Sequence, residues 1–458
     1  MKKLVSLLIA FSFIFVMAAC SGNSDEAGKK DGDTSKKEEQ VTIKYANWNL
    51  GTEEENNIER QMIAAFEEAY PNIHVEIDQS IDSADWNGSL SAAASAGKMP
   101  DVFAMSSLPL ALSNDWVMDI TSIAEADEEF AKVSETVQQS IKFNDKLVAV
   151  PFAQHMLGYY VNKDLFNEAN LDYPEYGASV EEFEAAIKGI TDINAGVVGL
   201  MDANNIPDWY PAAVNPDMGW FTYKDGSYSL NSTEFISAMN FAKELETNSY
   251  TYNSLTEDQK ANFNAQDAGQ VWLNGGIAIR WDGTWANASY ATEATFDFDF
   301  LGLPGGRTAI TNDLLGISAT TEHPEEVYTF AKWMSFGKDG FFKRLEIADE
   351  MGIPVNSLPI STDQEVVDEY FSRLDIPGVR KAYDNIDTAI LEPFKTVPGY
   401  TESRFDGTTG VKVGEFENAT AGQLITSFIT GDLKVEDYAA QLEELANAKH
   451  DEVLESMQ

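Results

Sequence analysis

The sequence predicts a mixed α/β fold built on a parallel β-sheet. Residues 41–46 and 73–78 alternate apolar and polar side chains, and residues 101–105 form a short apolar run, as strands do. A helical pattern separates each pair of these segments, so the order is strand, helix, strand, helix, strand. Strands that alternate with helices pair in parallel through right-handed crossovers, which predicts the start of an α/β domain.

The carboxyl ends of these predicted strands indicate where a ligand would bind. In open α/β sheets, ligands lie beyond those ends. Trp48 and Asn49 follow the first predicted strand, and Ser106 and Ser107 follow the third. These side chains are therefore the first candidates for ligand contacts.

The first helix has a predicted start and a predicted end. Thr52 and Glu55 have the spacing of a capping box, which indicates a helix start. Apolar side chains then recur on one helical face from Ile58 to Ala69, and Pro71 ends the pattern.

Helical and extended patterns continue along the rest of the chain. An extended segment at residues 146–166 is centred on Pro151. Further strand patterns occupy residues 275–285 and 296–310. Helical patterns occupy residues 86–97, 179–190, 233–248, 323–337, 418–433 and 435–450.

The amino-terminal segment has the features of a targeting peptide. Two lysines precede an apolar run at residues 4–16, and two alanines stand directly before Cys20, which is the only cysteine. This order is typical of a signal peptide, and the apolar run is shorter than the roughly 20 residues that span a bilayer. It resembles the lipobox of bacterial lipoproteins, with Met17 in place of the usual leucine. The resemblance implies cleavage before Cys20, acylation of its thiol with palmitate or a similar chain, and attachment to the outer face of a Gram-positive cell membrane. The alternative is a secretory peptide with an incidental cysteine.

Residues 21–40 are predicted to form a flexible tether. They contain no aromatic residue and no aliphatic side chain larger than that of Ala27, so they cannot bury enough apolar surface to fold. The remaining chain, residues 41–458, is long enough for two or more domains.

The charge of the chain restricts its partners. It contains 75 acidic and 31 basic residues, which gives a formal net charge of −44. Nucleic acids are therefore excluded as partners by repulsion. Two interpretations of the excess acid stay open: a solvated surface suited to high salt or high pH, and a role in binding cations.

Six segments occur in an order that is characteristic of one family. They are AFEEAYPNIHVEI (65–77), GKMPDVFAM (97–105), VPFAQHMLGYYVNKDLF (150–166), GGIAIRWDGTW (275–285), FLGLPGG (300–306) and FITGDLKVEDYAAQLEELAN (428–447). The set resembles extracellular solute-binding family 1, the sugar-binding proteins of bacterial ABC importers, which includes maltose-binding protein. The resemblance implies a monomer that captures a carbohydrate, an oligosaccharide more than a monosaccharide, and delivers it to the transmembrane permease subunits without cofactor, metal or chemistry.

The resemblance also implies a domain organisation. Members have a two-lobe, type II periplasmic-binding-protein-like fold, in which each lobe is discontinuous and hinge strands join the two. Mapped onto this chain, the first lobe comprises 41–150 plus 312–355, and the second comprises 154–308 plus 360–458. The crossings fall close to Pro151, Gly306 and Ile353.

Aromatic side chains beside polar ones are candidates for sugar contacts. Sugars present C–H faces that stack on aromatic rings and hydroxyls that bond to polar groups, and pockets generally combine both kinds of surface. Three segments have this composition: NWN (47–49), PDWYP (207–211) and RWDGTW (280–285) with Asp282. The two prolines predict that PDWYP lies in a loop.

The family resemblance assigns ligand contacts to most of these positions and adds others. It implies contacts from Trp48, Asn49, Gln154, His155, Trp209, Tyr210, Trp285 and Tyr400. Trp281 shares a strand face with Ile277 and Ile279, which favours packing. Five other tryptophans are also interpreted as packing residues: Trp86, Trp116, Trp220, Trp272 and Trp333.

Two rival functions stay open on the sequence alone. A secreted glycosidase needs two carboxylates across the scissile bond, and 75 acids always offer such a pair. The chain contains no G-x-S-x-G elbow and no H-E-x-x-H motif, so serine hydrolases and zinc proteases of those types are not indicated.

The second rival is a receptor for a non-sugar solute such as a polyamine. Aromatic rings could bind a polyamine through cation–π contacts, and acidic side chains could bind its charges.

Overall fold

A computed structural model describes residues 40–458 except 53, 56, 266 and 432. The predicted signal peptide, Cys20 and almost all of the predicted tether lie outside the described residues. The strands are β1 (Val41–Ala46), β2 (Ile73–Ile77), β3 (Val102–Met105), β4 (Lys142–Phe143), β5 (Lys146–Leu147), β6 (Val150–Asn162), β7 (Val198–Leu200), β8 (Ile277–Gly283), β9 (Phe298–Gly302), β10 (Ala309–Ile317) and β11 (Ile390–Leu391).

Helices alternate with these strands, so the fold is mixed α/β as predicted. They are α1 (Ile58–Ala69), α2 (Trp86–Ser95), α3 (Leu108–Ser113), α4 (Thr121–Ala124), α5 (Glu135–Ser140), α6 (Lys163–Ala169), α7 (Val180–Ile190), α8 (Ile206–Val214), α9 (Thr233–Thr247), α10 (Glu257–Lys260), α11 (Ala268–Leu273), α12 (Asn287–Glu293), α13 (Pro324–Met334), α14 (Lys338–Met351), α15 (Gln364–Phe371), α16 (Pro377–Tyr383), α17 (Ala421–Thr430) and α18 (Ala439–Ser456).

One end of the sheet is the predicted parallel unit. β1 lies between β2 and β3 and pairs with both in parallel, with Val41 opposite Ile73 and Tyr45 opposite Val102. The strand–helix–strand order at the start of the chain therefore predicted the pairing correctly, because only a crossover connection can join parallel neighbours.

Two long strands connect this end of the sheet to the other. β6 pairs antiparallel with β10 along its first half and with β8 and β9 along its second half. β10 pairs with β3 at its own carboxyl end, and the sheet runs β2-β1-β3-β10-β6-β8-β7. The short strand β11 pairs with the first residues of β10.

The predicted start of α1 was wrong. Thr52 bonds Glu55 through its side chain, but the helix begins at Ile58 with Asn57 as its cap. Asn57 Oδ1 accepts the backbone N–H of Arg60, and Asn57 Nδ2 donates to the carbonyls of Asn49 and Leu50. The real cap therefore fixes the helix start and also holds the loop that follows β1.

Most of the tryptophans interpreted as packing residues are in the core. Trp116, Trp220, Trp272 and Trp333 are buried, and Trp86 is half-buried with its indole N–H bonded to the carbonyl of Ala104.

Within the described residues, no helix is long and apolar enough to cross a membrane.

Candidate functional site

A cavity of about 360 Å³ lies beside the central strands β6 and β10. Four of its polar or aromatic lining residues come from separate parts of the chain: Asn49 after β1, His155 on β6, Trp285 after β8 and Asp313 on β10. The segment that follows α14, residues 353–358, closes another side. The cavity therefore joins three sequence-predicted ligand residues to one that was not predicted.

Trp285 presents an aromatic surface at this cavity. Its side chain is 44% exposed, although tryptophan rings in folded proteins are mostly buried. The edge of the indole contacts the ring of His155, with 5.4 Å between centroids and an interplanar angle of 74°. The neighbouring Thr284 is buried, and its hydroxyl accepts the backbone N–H of Met156, which ties the stem of Trp285 to β6.

His155 is neutral at physiological pH. Burial lowers its pKa to about 4, and this effect exceeds the opposing influence of the Asp313 carboxylate. Lys395 lowers the pKa further. A neutral imidazole can both donate and accept a hydrogen bond, as hydroxyl-rich ligands require.

A polar cluster of four residues continues from His155 along β10. Asp313 forms an ion pair with Lys395, and Thr311, which stands opposite His155 in register, donates to the carboxylate of Glu392 at 3.2 Å. The pKa of Glu392 is raised to about 7 because burial penalises its charged form. Since Asp313 and Lys395 neutralise each other, Glu392 is the group of this cluster whose charge changes close to neutral pH.

Two exposed aromatic rings lie outside the cavity, and one of them directly precedes Lys395 in the chain. Phe394 is 45% exposed and Phe405 is 40% exposed, and their ring centroids are 6.4 Å apart. Phe405 follows Arg404, whose guanidinium is buried in an ion pair with Asp208 on α8. The residues of this segment were missed by the sequence analysis, although an aromatic residue between Pro393 and Lys395 is a recognisable signal for an exposed ring.

The other residues predicted at the strand ends lie around β1 and β3. Trp48 is half-buried and packs its ring edge-on against Trp86, with centroids 5.1 Å apart. Asn49 is exposed and lines the cavity, whereas Ser106 donates to the side chain of Asn87 and does not line it.

The predicted loop at residues 207–211 is a helix, so that prediction was wrong. Pro207 lies in the first turn of α8, where its missing N–H costs nothing, and Pro211 is accommodated inside the same helix. Trp209 on this helix is fully buried and donates its indole N–H to the hydroxyl of Tyr159. Tyr210 is half-buried and packs against Phe241.

Three further candidates are engaged by neighbouring protein groups. Tyr400 is 2% exposed, and its hydroxyl accepts the indole N–H of Trp220. Gln154 is 1% exposed and donates to the carbonyl of Pro359. The carboxylate of Asp282 accepts the hydroxyl of Tyr290 and lies 3.3 Å from Arg280. None of the three lines the cavity.

The arrangement suits reversible binding. An exposed indole, a neutral imidazole, an amide and carboxylates surround a concave surface, which is the mixture of apolar area and placed polar groups that pockets for small solutes contain. In the part of the chain that the structure describes, no group of three or more His, Cys, Asp or Glu side chains is arranged to hold a metal ion.

Comparison with known structures shows the fold. An ABC substrate-binding protein from Listeria monocytogenes in complex with cycloalternan is 21% identical, covers 90% of this chain and 99% of its own, and has a TM-score of 0.64. A cyclic alpha-maltosyl-1,6-maltose binding protein from Arthrobacter globiformis is 16% identical, with 90% and 100% coverage and a TM-score of 0.67. UgpB from Mycobacterium tuberculosis in complex with glycerophosphocholine is 16% identical, with 91% and 100% coverage and a TM-score of 0.66.

Sequence comparison shows the family. No curated protein matches the chain in sequence. The family model described as bacterial extracellular solute-binding protein matches residues 51–336, which is more than half of the chain. The family match agrees with the mixed α/β fold. The chain therefore belongs to the bacterial extracellular solute-binding proteins, a family of non-enzymatic transport components.

Proposed function

We propose that this protein captures an oligosaccharide in the cavity beside β6 and β10 and delivers it to the membrane subunits of an ABC importer. The observation that carries the proposal is the exposed indole of Trp285, held against a neutral His155 at the mouth of a polar cavity. Aromatic faces stack on the C–H faces of sugar rings, and the polar groups bond the hydroxyls. The structural neighbours that bind cycloalternan or a cyclic maltose oligomer support this class of ligand.

The length of the aromatic surface favours an oligosaccharide over a monosaccharide. The ring of Trp285 contacts the ring of His155, and the charges of Asp313 and Lys395, which form an ion pair, act on His155. Phe394 directly precedes Lys395 in the sequence. The exposed rings of Trp285, Phe394 and Phe405 offer more than one place for a sugar residue to stack.

Ligand capture in this proposal is a closure of two lobes. We propose that the lobes are the ones expected from the sequence, 41–150 plus 312–355 and 154–308 plus 360–458, with β6 and β10 as the strands that pass between them. Because only the closed state contacts the ligand from both sides, binding shifts the population towards closure.

We further propose that acylated Cys20 holds the protein at the extracellular face of the membrane, with residues 21–40 as a tether. One acyl chain alone binds a membrane only weakly, so two or three are needed.

A thermal-shift screen against neutral oligosaccharides, monosaccharides and polyamines tests the ligand class. We expect an oligosaccharide to raise the melting temperature most, and small-angle scattering should then show a smaller radius of gyration. Incubation with the same labelled oligosaccharide should return it intact. A rise with polyamines alone would replace the carbohydrate proposal by the polyamine alternative, and turnover of the sugar would contradict the binding role.

The variant Trp285→Ala tests the site itself. We expect it to weaken binding of the oligosaccharide at least tenfold in titration calorimetry, about 1.4 kcal/mol or more, because the stacking surface is lost. Phe416→Ala, which removes a 54% exposed ring that does not line the cavity, is the matched control and should keep the affinity. Unchanged affinity in Trp285→Ala would remove Trp285 from the site.

A further inference from the structure

A second cavity, of about 850 Å³, shares no lining residue with the cavity beside β6 and β10. Its walls come from α3, α5, β4, residues 216–226, residues 387–391, 393 and 396–398, and the carboxyl-terminal part of α18. A volume of roughly 300 to 1,000 Å³ is typical of pockets that hold a small organic ligand. The cavity is therefore large enough for a second solute.

The cations that line this cavity lack acid partners. Arg307, Lys142 and Lys224 line it, and within the described residues none of the three forms an ion pair or a side-chain hydrogen bond. Most cations elsewhere in the structure are paired, as expected in a chain with 75 acids and 31 bases. Unpaired cations that share one cavity are therefore a local departure from the pattern of the molecule.

Arg307 is the most unusual of the three. Its Nε is buried and has no acceptor among the described residues. A buried donor without an acceptor is destabilising, and more so in a charged group. A guanidinium presents a planar fork that matches a carboxylate or a phosphate. The terminal N–H groups of Arg307, which have no acceptor among the described residues and are not buried as Nε is, therefore offer a binding face to an anion.

The remaining lining fits an organic molecule that carries such an anion. Trp220, Phe143 and Met218 provide apolar surface, and the buried hydroxyl of Thr396 has no partner among the described residues. Three carboxylates also line the cavity, those of Glu135, Asp225 and Asp387, so the three cations and three acids balance. An anion would therefore be held locally by the guanidinium and not by an overall positive potential.

We propose that this second cavity binds a small organic anion, a carboxylate or a phosphate ester, with its anionic group on Arg307 and its apolar part against Trp220 and Phe143. The two cavities have no lining residue in common, although the segment 391–396 contributes Leu391, Pro393 and Thr396 to this cavity and Glu392, Phe394 and Lys395 to the surroundings of the carbohydrate site. The proposal does not depend on the proposed function.

Three aromatic probes of similar size test the proposal in the full protein. Benzoate and phenyl phosphate carry the two kinds of anion, and benzyl alcohol is neutral. Titration by saturation-transfer nuclear magnetic resonance should show binding of at least one anion, with benzyl alcohol at least tenfold weaker. The stronger of the two anions identifies whether the site prefers a carboxylate or a phosphate.

Variants locate the binding. Arg307→Gln should weaken the anion at least tenfold, whereas Lys98→Gln, which removes an exposed cation elsewhere, should leave it unchanged. Arg307→Lys should retain part of the affinity, since the charge stays but the planar fork is lost. The melting temperature of Arg307→Gln should not fall, because no hydrogen bond to a described residue is lost, and its affinity for the oligosaccharide should also stay the same.

Several outcomes would overturn the inference. Equal binding of benzyl alcohol would mean that the cavity takes apolar groups without regard to charge. Absence of binding by both anions at millimolar concentration, or an equal loss in Lys98→Gln and Arg307→Gln, would exclude Arg307 as an anion-binding residue. A large fall in the melting temperature of both Arg307 variants would assign the guanidinium a structural role.

Discussion

At the scale of single residues, Trp285 owes its position to Gly283. The indole lies flat against Gly283, so a Cβ atom placed there would overlap three carbons of the ring. The backbone of Gly283 is extended, with φ of −104°, and any residue could adopt it. Gly283 is therefore required for the space it leaves and not for its conformational freedom.

Gly283→Ala should displace the indole and weaken ligand binding at least tenfold without unfolding the protein. The backbone cannot move to relieve the overlap, because the next residue, Thr284, is held to β6 by its hydrogen bond with the N–H of Met156. Titration calorimetry measures the affinity, and the tryptophan emission of the free protein should change because the ring moves. Gly189→Ala is the control: its added methyl group would meet only a side-chain atom 3.8 Å away, so neither affinity nor emission should change.

Glu392 is expected to make stability depend on pH. Its pKa is raised from an ordinary value of 4.5 to about 7, so between these values the folded protein binds more protons than the unfolded chain. Stability from this group therefore falls as the pH rises from 4.5 to 7 and is level above that range. The glutamine in Glu392→Gln has no group that titrates. The melting temperature of this variant relative to that of the native protein should therefore increase as the pH rises from 4.5 to 7.

The neighbouring histidine does not disturb that comparison. The pKa of His155 is lowered to about 4, which adds stability as the pH rises between 4 and 6.5. This contribution is present in both proteins and cancels in the difference between them. A difference in melting temperature that stays constant from pH 4.5 to 7.5 would contradict the assignment of a raised pKa to Glu392.

At the scale of secondary-structure elements, the junction between β1 and α1 links the fold to the site. Asn57 caps α1 and bonds the carbonyl of Asn49, a residue that lines the cavity. The loop between them therefore has its position set by the helix cap.

Asn57→Ala should lower the free energy of unfolding by about 1–2 kcal/mol, because the cap bond to Arg60 N–H is lost. Thr52→Ala changes the residue that the sequence pattern nominated as the cap, and it should change stability by less than about 0.5 kcal/mol, as exposed positions do. Urea denaturation of the two variants gives both values. An equal loss in both would mean that the helix start extends back to Thr52 in solution.

At the scale of the whole molecule, the excess of acid is a source of self-repulsion. The chain carries 75 acidic against 31 basic residues, and within the described residues no cluster of three or more potential ligands could hold a metal ion. The acidic residues are spread along the whole chain, which favours the interpretation of a solvated acidic surface over a cation-binding role.

The melting temperature should rise between dilute buffer and about 1 M sodium chloride, because the Debye length falls to about 3 Å and repulsion between carboxylates is screened. Differential scanning calorimetry at constant pH measures the change. Sodium chloride and potassium chloride should act equally if screening is the cause, whereas a melting temperature that does not rise with either salt would exclude a salt-adapted surface.

The local pattern of the sequence determined much of this protein. Alternation and helical spacing predicted β1, α1, β2, α2 and β3 and their parallel pairing, and the order of six segments indicated the family. Strand ends and local composition nominated Asn49 and Trp285, the family resemblance added His155, and the three residues meet at one cavity. These properties depend on side chains a few residues apart, so they can be recognised without knowing which strands are neighbours.

Only the tertiary structure decided which distant residues complete the site. Lys395 reaches Asp313, and Glu392 reaches Thr311, because β11 pairs with the start of β10 and the chain continues alongside it. The prolines at 207 and 211 indicated a loop, yet α8 forms there because burial of Trp209 against Tyr159 and Phe183 stabilises the helix. Strand pairing and burial are interactions between residues far apart in sequence, and no local spacing of side chains specifies them.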